Sequence, residues 1–145
     1  MKKILFITPI LFFLLVLNAQ DALACSCLAP DPNKSLEQKV KEAVADSSAV
    51  FTARVLSVTP VPSEGNKIVK LRLVKSWKGK LTKTITLTTG IGGGDCGYFF
   101  EAGKTYLVYA YRDENKKLST NICNRTGEAA SNKDIAVLNK IKKWR

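Results

Sequence analysis

Four cysteines constrain this chain more than any other feature: Cys25, Cys27, Cys96 and Cys123. An even count in an exported chain reads as two disulfides. One residue separates Cys25 from Cys27, so a bridge between them would be badly strained. Two pairings remain: 25–96 with 27–123, or 25–123 with 27–96. Either one ties the stretch that begins at Cys25 to two distant points. Each closure is worth roughly 4 kcal/mol in the chain-entropy model. The spacing does not suit a zinc site, and an oxidising compartment removes the thiolates such a site needs.

Export is read from residues 1 to 24. Lys2 and Lys3 give a positive start, Ile4 to Leu17 is apolar except for Thr8 and Pro9, and Ala22-Leu23-Ala24 puts small residues where a signal peptidase reads. The apolar run is shorter than the ~20 residues of a comfortable membrane span. The reading is a cleaved signal peptide and a mature chain beginning at Cys25. Destinations consistent with it are the medium, a periplasm or the cell surface. A lipoprotein signal would want a large aliphatic residue where Ala22 stands.

Taking 24 residues from 145 leaves 121, enough for one domain with one hydrophobic core. The net charge falls from +11 to +10, because two Lys and one Asp leave with the signal. A basic exported protein meets anionic partners, such as an acidic glycan or an envelope surface, although charge scattered in short segments also serves solubility. The chain has no histidine. That excludes Ser-His-Asp and Cys-His nucleophile systems and histidine-based zinc sites. Gly97 and Gly103-Lys104-Thr105 have five residues between the glycines where a phosphate-binding loop needs four. No enzyme and no cofactor is expected.

Side-chain periodicity predicts a helix, five antiparallel strands and a second helix. Ser35 and Gln38 form a capping box ahead of Leu36, Val40, Ala43 and Val44, with the helix ending near Ala45. Strands are expected at Ala49–Val58, Ile68–Trp77, Thr84–Thr88, Lys104–Tyr111 and Leu118–Ile122. In the second, Val69, Leu71, Leu73 and Trp77 are assigned to one face, Lys70 and Arg72 to the other. Pro60, Pro62 and Gly65 mark a turn, and Gly90 to Gly97 a flexible loop. Ser131 and Asp134 are expected to cap the last helix, with Ile135, Leu138 and Ile141 on its core face and Lys140, Lys142 and Lys143 at its negative end. The fold class is mainly β with flanking helices, and a five-stranded Greek-key barrel of OB-fold type is the economical arrangement.

Several segments, in order, resemble one family. Cys25-Ser26-Cys27 resembles the opening of the tissue inhibitors of metalloproteinases, whose N-terminal domain is a netrin-like barrel. Pro32, Phe51 to Val55, Trp77-Lys78-Gly79, Cys96-Gly97, Tyr106 to Ala110 and Leu118 to Asn124 match in turn, over nearly the whole of 25–145. The family's third disulfide and its second domain have no counterpart here. The Lys2-Lys3 start and the single domain suggest a bacterial relative.

The resemblance implies the pairing Cys25–Cys96 with Cys27–Cys123, and a function. The chain would be a monomeric inhibitor of zinc metalloendopeptidases. The free amine and carbonyl of Cys25 would chelate the catalytic zinc. Ser26 would point into the main specificity pocket, and Cys27, Leu28 and Ala29 would continue along the cleft. Asp95 would lie beside the cleft, where its charge would face the protease's catalytic glutamate. The competing reading is a polyanion-binding or adhesion module. In it Lys70 and Arg72 would join Tyr98, Phe99, Tyr106, Tyr109 and Tyr111 in a stacking groove for glycan or, less readily, nucleic acid.

Overall fold

A computed structural model describes residues 25–141. The signal-peptide reading of residues 1–24 falls outside the described residues, as do Lys142 and Lys143. Helix α1 spans Leu36–Asp46. Its start follows the capping box: Ser35 Oγ accepts from the Gln38 amide at 3.2 Å, and Gln38 Oε1 accepts from the Ser35 amide at 2.8 Å. At its other end Lys78 Nζ donates to the Val44 and Ala45 carbonyls, satisfying groups that a helix terminus leaves open.

Six strands follow: β1 (Ala49–Val61), β2 (Asn66–Lys78), β3 (Thr84–Gly90), β4 (Thr105–Arg112), β5 (Leu118–Ser119) and β6 (Gly127–Glu128). Helix α2 spans Asp134–Lys140. The sheet is mixed, in the order β1-β2-β3-β5-β4-β6, and β1 also pairs with β4. Five strands therefore close into a ring, in which the β3–β5 contact is parallel and the other four are antiparallel. Phe51, Leu71, Leu87 and Val108 fill its interior with Tyr98, Phe100 and Tyr106. Val50, Leu107 and Tyr109 point outward and are covered by Val40 and Val44 of α1 and Leu138 of α2. The alternation along β4 thus serves two cores at once.

Six expectations need correction. A sixth strand, β6, adds to the expected five, and the β3–β5 contact is parallel where antiparallel strands throughout are expected. Strand β1 runs through Pro60 to Val61; beyond Arg54 it pairs only with β2, and a proline is tolerated on a strand's free edge. Trp77 does not share a face with Val69 and Leu71. Register breaks in β1–β2 leave Val74 and Trp77 as extra residues, and Trp77 turns to the helix side, where its indole N–H reaches Asn139 Oδ1 at 3.2 Å. The strand expected at Leu118–Ile122 stops at Ser119, because Asn121 starts a turn. Ser131 lies in a short 3-10 turn rather than capping α2; Lys133 occupies that place without a side-chain cap, and Asp134 is buried instead.

Candidate functional site

Residues Cys25 to Pro30 adopt no regular element, and Ser26 to Pro30 are exposed. Leu28 is 98% accessible, unusual for a leucine in a protein with two packed cores. Among the described residues, none of this segment's backbone groups is hydrogen-bonded to the ring. Its attachment is covalent. Cys25 is joined to Cys96 and Cys27 to Cys123, with Cα separations of 5.1 and 5.2 Å. The bridges lie side by side, with Cys123 Sγ 3.8 Å from Cys96 Sγ. The sulfurs of Cys25, Cys96 and Cys123 fall within 4.8 Å of one another, but all are in disulfides and offer no thiolate to a metal.

Both anchor points are built from local hydrogen bonds. Asn121 Oδ1 accepts from the amides of Cys123 and Asn124 at 3.0 and 3.1 Å, which fixes the turn carrying Cys123. The Ile122 amide donates to the Cys96 carbonyl at 2.9 Å and ties the two anchors together. Cys96 has φ +60, a left-handed conformation that L residues other than Asn and Asp seldom take. Gly97 comes so close to the Gly90 carbonyl that any Cβ there would collide with backbone.

Asp95 shapes this loop from within. Its carboxylate accepts from the amides of Ile91, Gly92 and Gly97 at 2.6, 2.7 and 2.9 Å. These amides, Gly97's first and then Gly92's, hold its carboxyl below the usual aspartate range. Both Asp95 oxygens are thus engaged by the loop's own backbone. The sign of the pH effect follows. A depressed pKa contributes stability that is present above the ordinary aspartate value and lost only as pH falls through the lower one, so the loop keeps its shape in mild acid. Asp95→Ala should speed amide exchange at Ile91, Gly92 and Gly97 by about tenfold or more, with core amides such as Phe51 and Leu71 unaffected. Unchanged exchange in the loop would contradict this role.

A polar network under the Cys123 turn was not legible in the sequence. Tyr109 lies between the stretch of β4 that pairs with β6 and the stretch that pairs with β5, so its backbone lacks a strand partner on that edge. Side chains substitute: the Tyr109 amide donates to Thr126 Oγ1 at 3.0 Å, and its carbonyl accepts from Thr120 Oγ1 at 2.9 Å and Asn124 Nδ2 at 3.2 Å. The Tyr109 hydroxyl donates to Asp134 Oδ2 at 3.0 Å. Arg125 holds the same carboxylate through two bonds, Nε to Oδ2 at 2.7 Å and Nη2 to Oδ1 at 2.6 Å. Burial pushes the Tyr109 phenol well above its usual pKa, and the adjacent carboxylate adds to the rise.

This pair is asymmetric. The Asp134 side chain is 4% accessible and that of Arg125 29%. Arg125→Met should therefore cost roughly 3 kcal/mol, because it strands a buried carboxylate. Asp134→Asn should cost less, because the guanidinium can turn toward water. Chemical denaturation of both variants tests this order, and the reverse order would refute it.

The aromatic groove imagined for polyanions does not form. Tyr106 is inside the ring and Tyr109 outside it, both buried. Tyr98 packs on Phe100 and Tyr106 with centroids 4.7 and 5.8 Å away. Tyr111 is half-buried in a groove of about 430 Å³ between Leu28, α1 and Arg125. Phe99 alone of the five is exposed, with Lys67 Nζ 5.0 Å from its ring centre. Lys70 and Arg72 are exposed on the outer face of β2, alternating with the buried Val69 and Leu71. Against models of known protein families and against curated proteins, the chain has no match.

Proposed function

We propose that this protein is an exported inhibitor of zinc metalloendopeptidases, related to the tissue inhibitors of metalloproteinases and built on a netrin-like barrel of OB-fold type. One observation carries the reading. An exposed segment with no backbone bond to the ring is clamped at Cys25 and again at Cys27, leaving Ser26 presented between the clamps. A protein stapled only for stability has no need to spend both bridges on its first three mature residues. The closed five-stranded ring is consistent with the barrel but does not distinguish inhibition from another use of it.

The chemistry is that of a bidentate ligand. A catalytic zinc keeps one position open for water. The α-amino nitrogen and carbonyl oxygen of Cys25 would displace that water as a five-membered chelate once the signal peptide is removed. Only the neutral amine can bind, and with a reference pKa of about 7.7–8.0 its deprotonation near neutral pH is a modest cost. Ser26 would fill the main specificity pocket sparsely and discriminate weakly. Leu28, Ile91 and Ile122, all exposed and each on a segment tied by the bridges, supply apolar contact around the chelate. Clamping the segment in advance lowers the entropic cost of docking. The test is inhibition of a panel of bacterial and animal zinc endopeptidases by protein that begins at Cys25. Failure against the whole panel sinks the proposal.

A further inference from the structure

The outer face of β1, β2 and β3 carries charge of one sign. Arg54 is directly opposite Arg72, which is opposite Thr84; in the next row Ser57 is opposite Lys70, which is opposite Thr86. Paired residues on neighbouring strands point to the same side of a sheet. Arg54, Lys70 and Arg72 are all exposed, and β1 to β4 contain no Asp or Glu. Among the described residues, the ion pairs engage other cations and none of these three. Like charges directly across a strand pair are destabilising, and among the described residues no ion pair offsets the Arg54–Arg72 pair. The face continues past β3 into an open trough lined by Thr84, Thr86 and Thr88 on one side and Arg112, Lys116 and Lys117 on the other.

We propose that this face binds a linear anionic polysaccharide, carboxylated or sulfated, independently of the inhibitory N-terminus. Three features select that partner. The cations are spread over three interstrand steps, about 15 Å at ~4.8 Å each, which suits a polymer better than a single anion. The Thr84 and Thr86 hydroxyls, which alternate with the inward Ile85 and Leu87, can both donate to and accept from sugar hydroxyls, whereas the Thr88 hydroxyl donates to the Leu118 carbonyl at 3.3 Å and keeps only its acceptor side for a ligand. No aromatic side chain lines the trough, so it has no platform on which nucleic-acid bases would stack.

The experiment measures affinity of the mature protein for alginate, for heparin and for a single-stranded oligothymidylate of matched charge, across a salt series. Either polysaccharide should bind more tightly than the oligonucleotide. Arg54→Gln, Lys70→Gln and Arg72→Gln together should weaken polysaccharide binding at least about tenfold and lower the salt slope by about two to three. Lys39→Gln, Lys133→Gln and Lys140→Gln on and beside the helices remove the same charge and should change affinity less than about twofold. Two results would overturn the proposal: equal losses from the two triple variants, meaning net charge alone, or oligothymidylate binding as tight as polysaccharide. All of these side chains are exposed or partly exposed, so circular dichroism should report an intact fold in both variants.

Discussion

One alanine placed ahead of Cys25 should reduce inhibition of a susceptible zinc endopeptidase at least about a hundredfold, equivalent to about 2.8 kcal/mol. The added residue moves the free amine one position along, converts the Cys25 nitrogen into an amide and puts bulk at the metal. It breaks no backbone hydrogen bond to the ring, because Cys25 to Pro30 make none among the described residues. Thermal stability and both disulfides should therefore match the authentic form, which separates a lost chelate from a lost fold. Inhibition by the authentic form should weaken about tenfold for each pH unit below the amine's pKa, because a proton competes with zinc for the lone pair. Ser26→Gly should shift selectivity among proteases while leaving stability alone, as Ser26 is exposed. Equal inhibition by the extended protein would end the chelation model whatever the fold. The Asp95 loop needs its own control. Asp95→Asn keeps an acceptor for Gly92 and Gly97 and removes the charge, whereas Asp95→Val also removes the hydrogen bonds that shape the loop.

What could be read in the sequence was local and periodic. Ser35 and Gln38 announced α1 because both halves of a capping box lie within four residues. Alternation placed Val69 and Leu71 inward and Lys70 and Arg72 outward, and the ring keeps that division. The same rule failed at Trp77, since a period of two holds only while the strand stays regular, and a bulge leaves no mark in residue type. Strand-like composition runs from Leu118 to Ile122, beyond the end of β5, while the turn signal at Asn121 depends on where its side chain points. Ser131, three residues before Asp134, gives the sequence the spacing of a capping box that the fold does not form. The partners of Asp134, Arg125 and Tyr109, stand nine and 25 residues earlier on other segments, and such pairing has no periodicity to find. Asp95 was legible as a charge and illegible as the centre of its loop. The four cysteines narrowed the pairing to two alternatives, and the fold has Cys25–Cys96 with Cys27–Cys123.

Replacing both bridges by serine pairs should cost less than the sum of two independent closures. The Cys25–Cys96 bridge spans 71 residues of chain and Cys27–Cys123 spans 96. Taken singly, each would restrict the unfolded chain by roughly 4–5 kcal/mol. The loops overlap, however. With Cys25–Cys96 in place, the path from Cys27 through that bridge to Cys123 closes a loop of only about 29 residues, worth roughly 3.5 kcal/mol. Removing Cys27–Cys123 alone, as Cys27→Ser with Cys123→Ser, should thus cost roughly 3.5 kcal/mol, and removing both bridges roughly 8, within the 5–15 kcal/mol by which domains are usually stable. Because these residues contribute little packing, the loss should come through the unfolded state, and the single-bridge variant should keep native amide shifts for Phe51, Leu71 and Val108. Inhibition should fall in that variant at temperatures where it is fully folded, since the segment after Ser26 is no longer held for docking. A variant that loses stability but inhibits as well as the parent would show the bridges to be staples alone; one that loses neither would mean the clamp constrains nothing that matters.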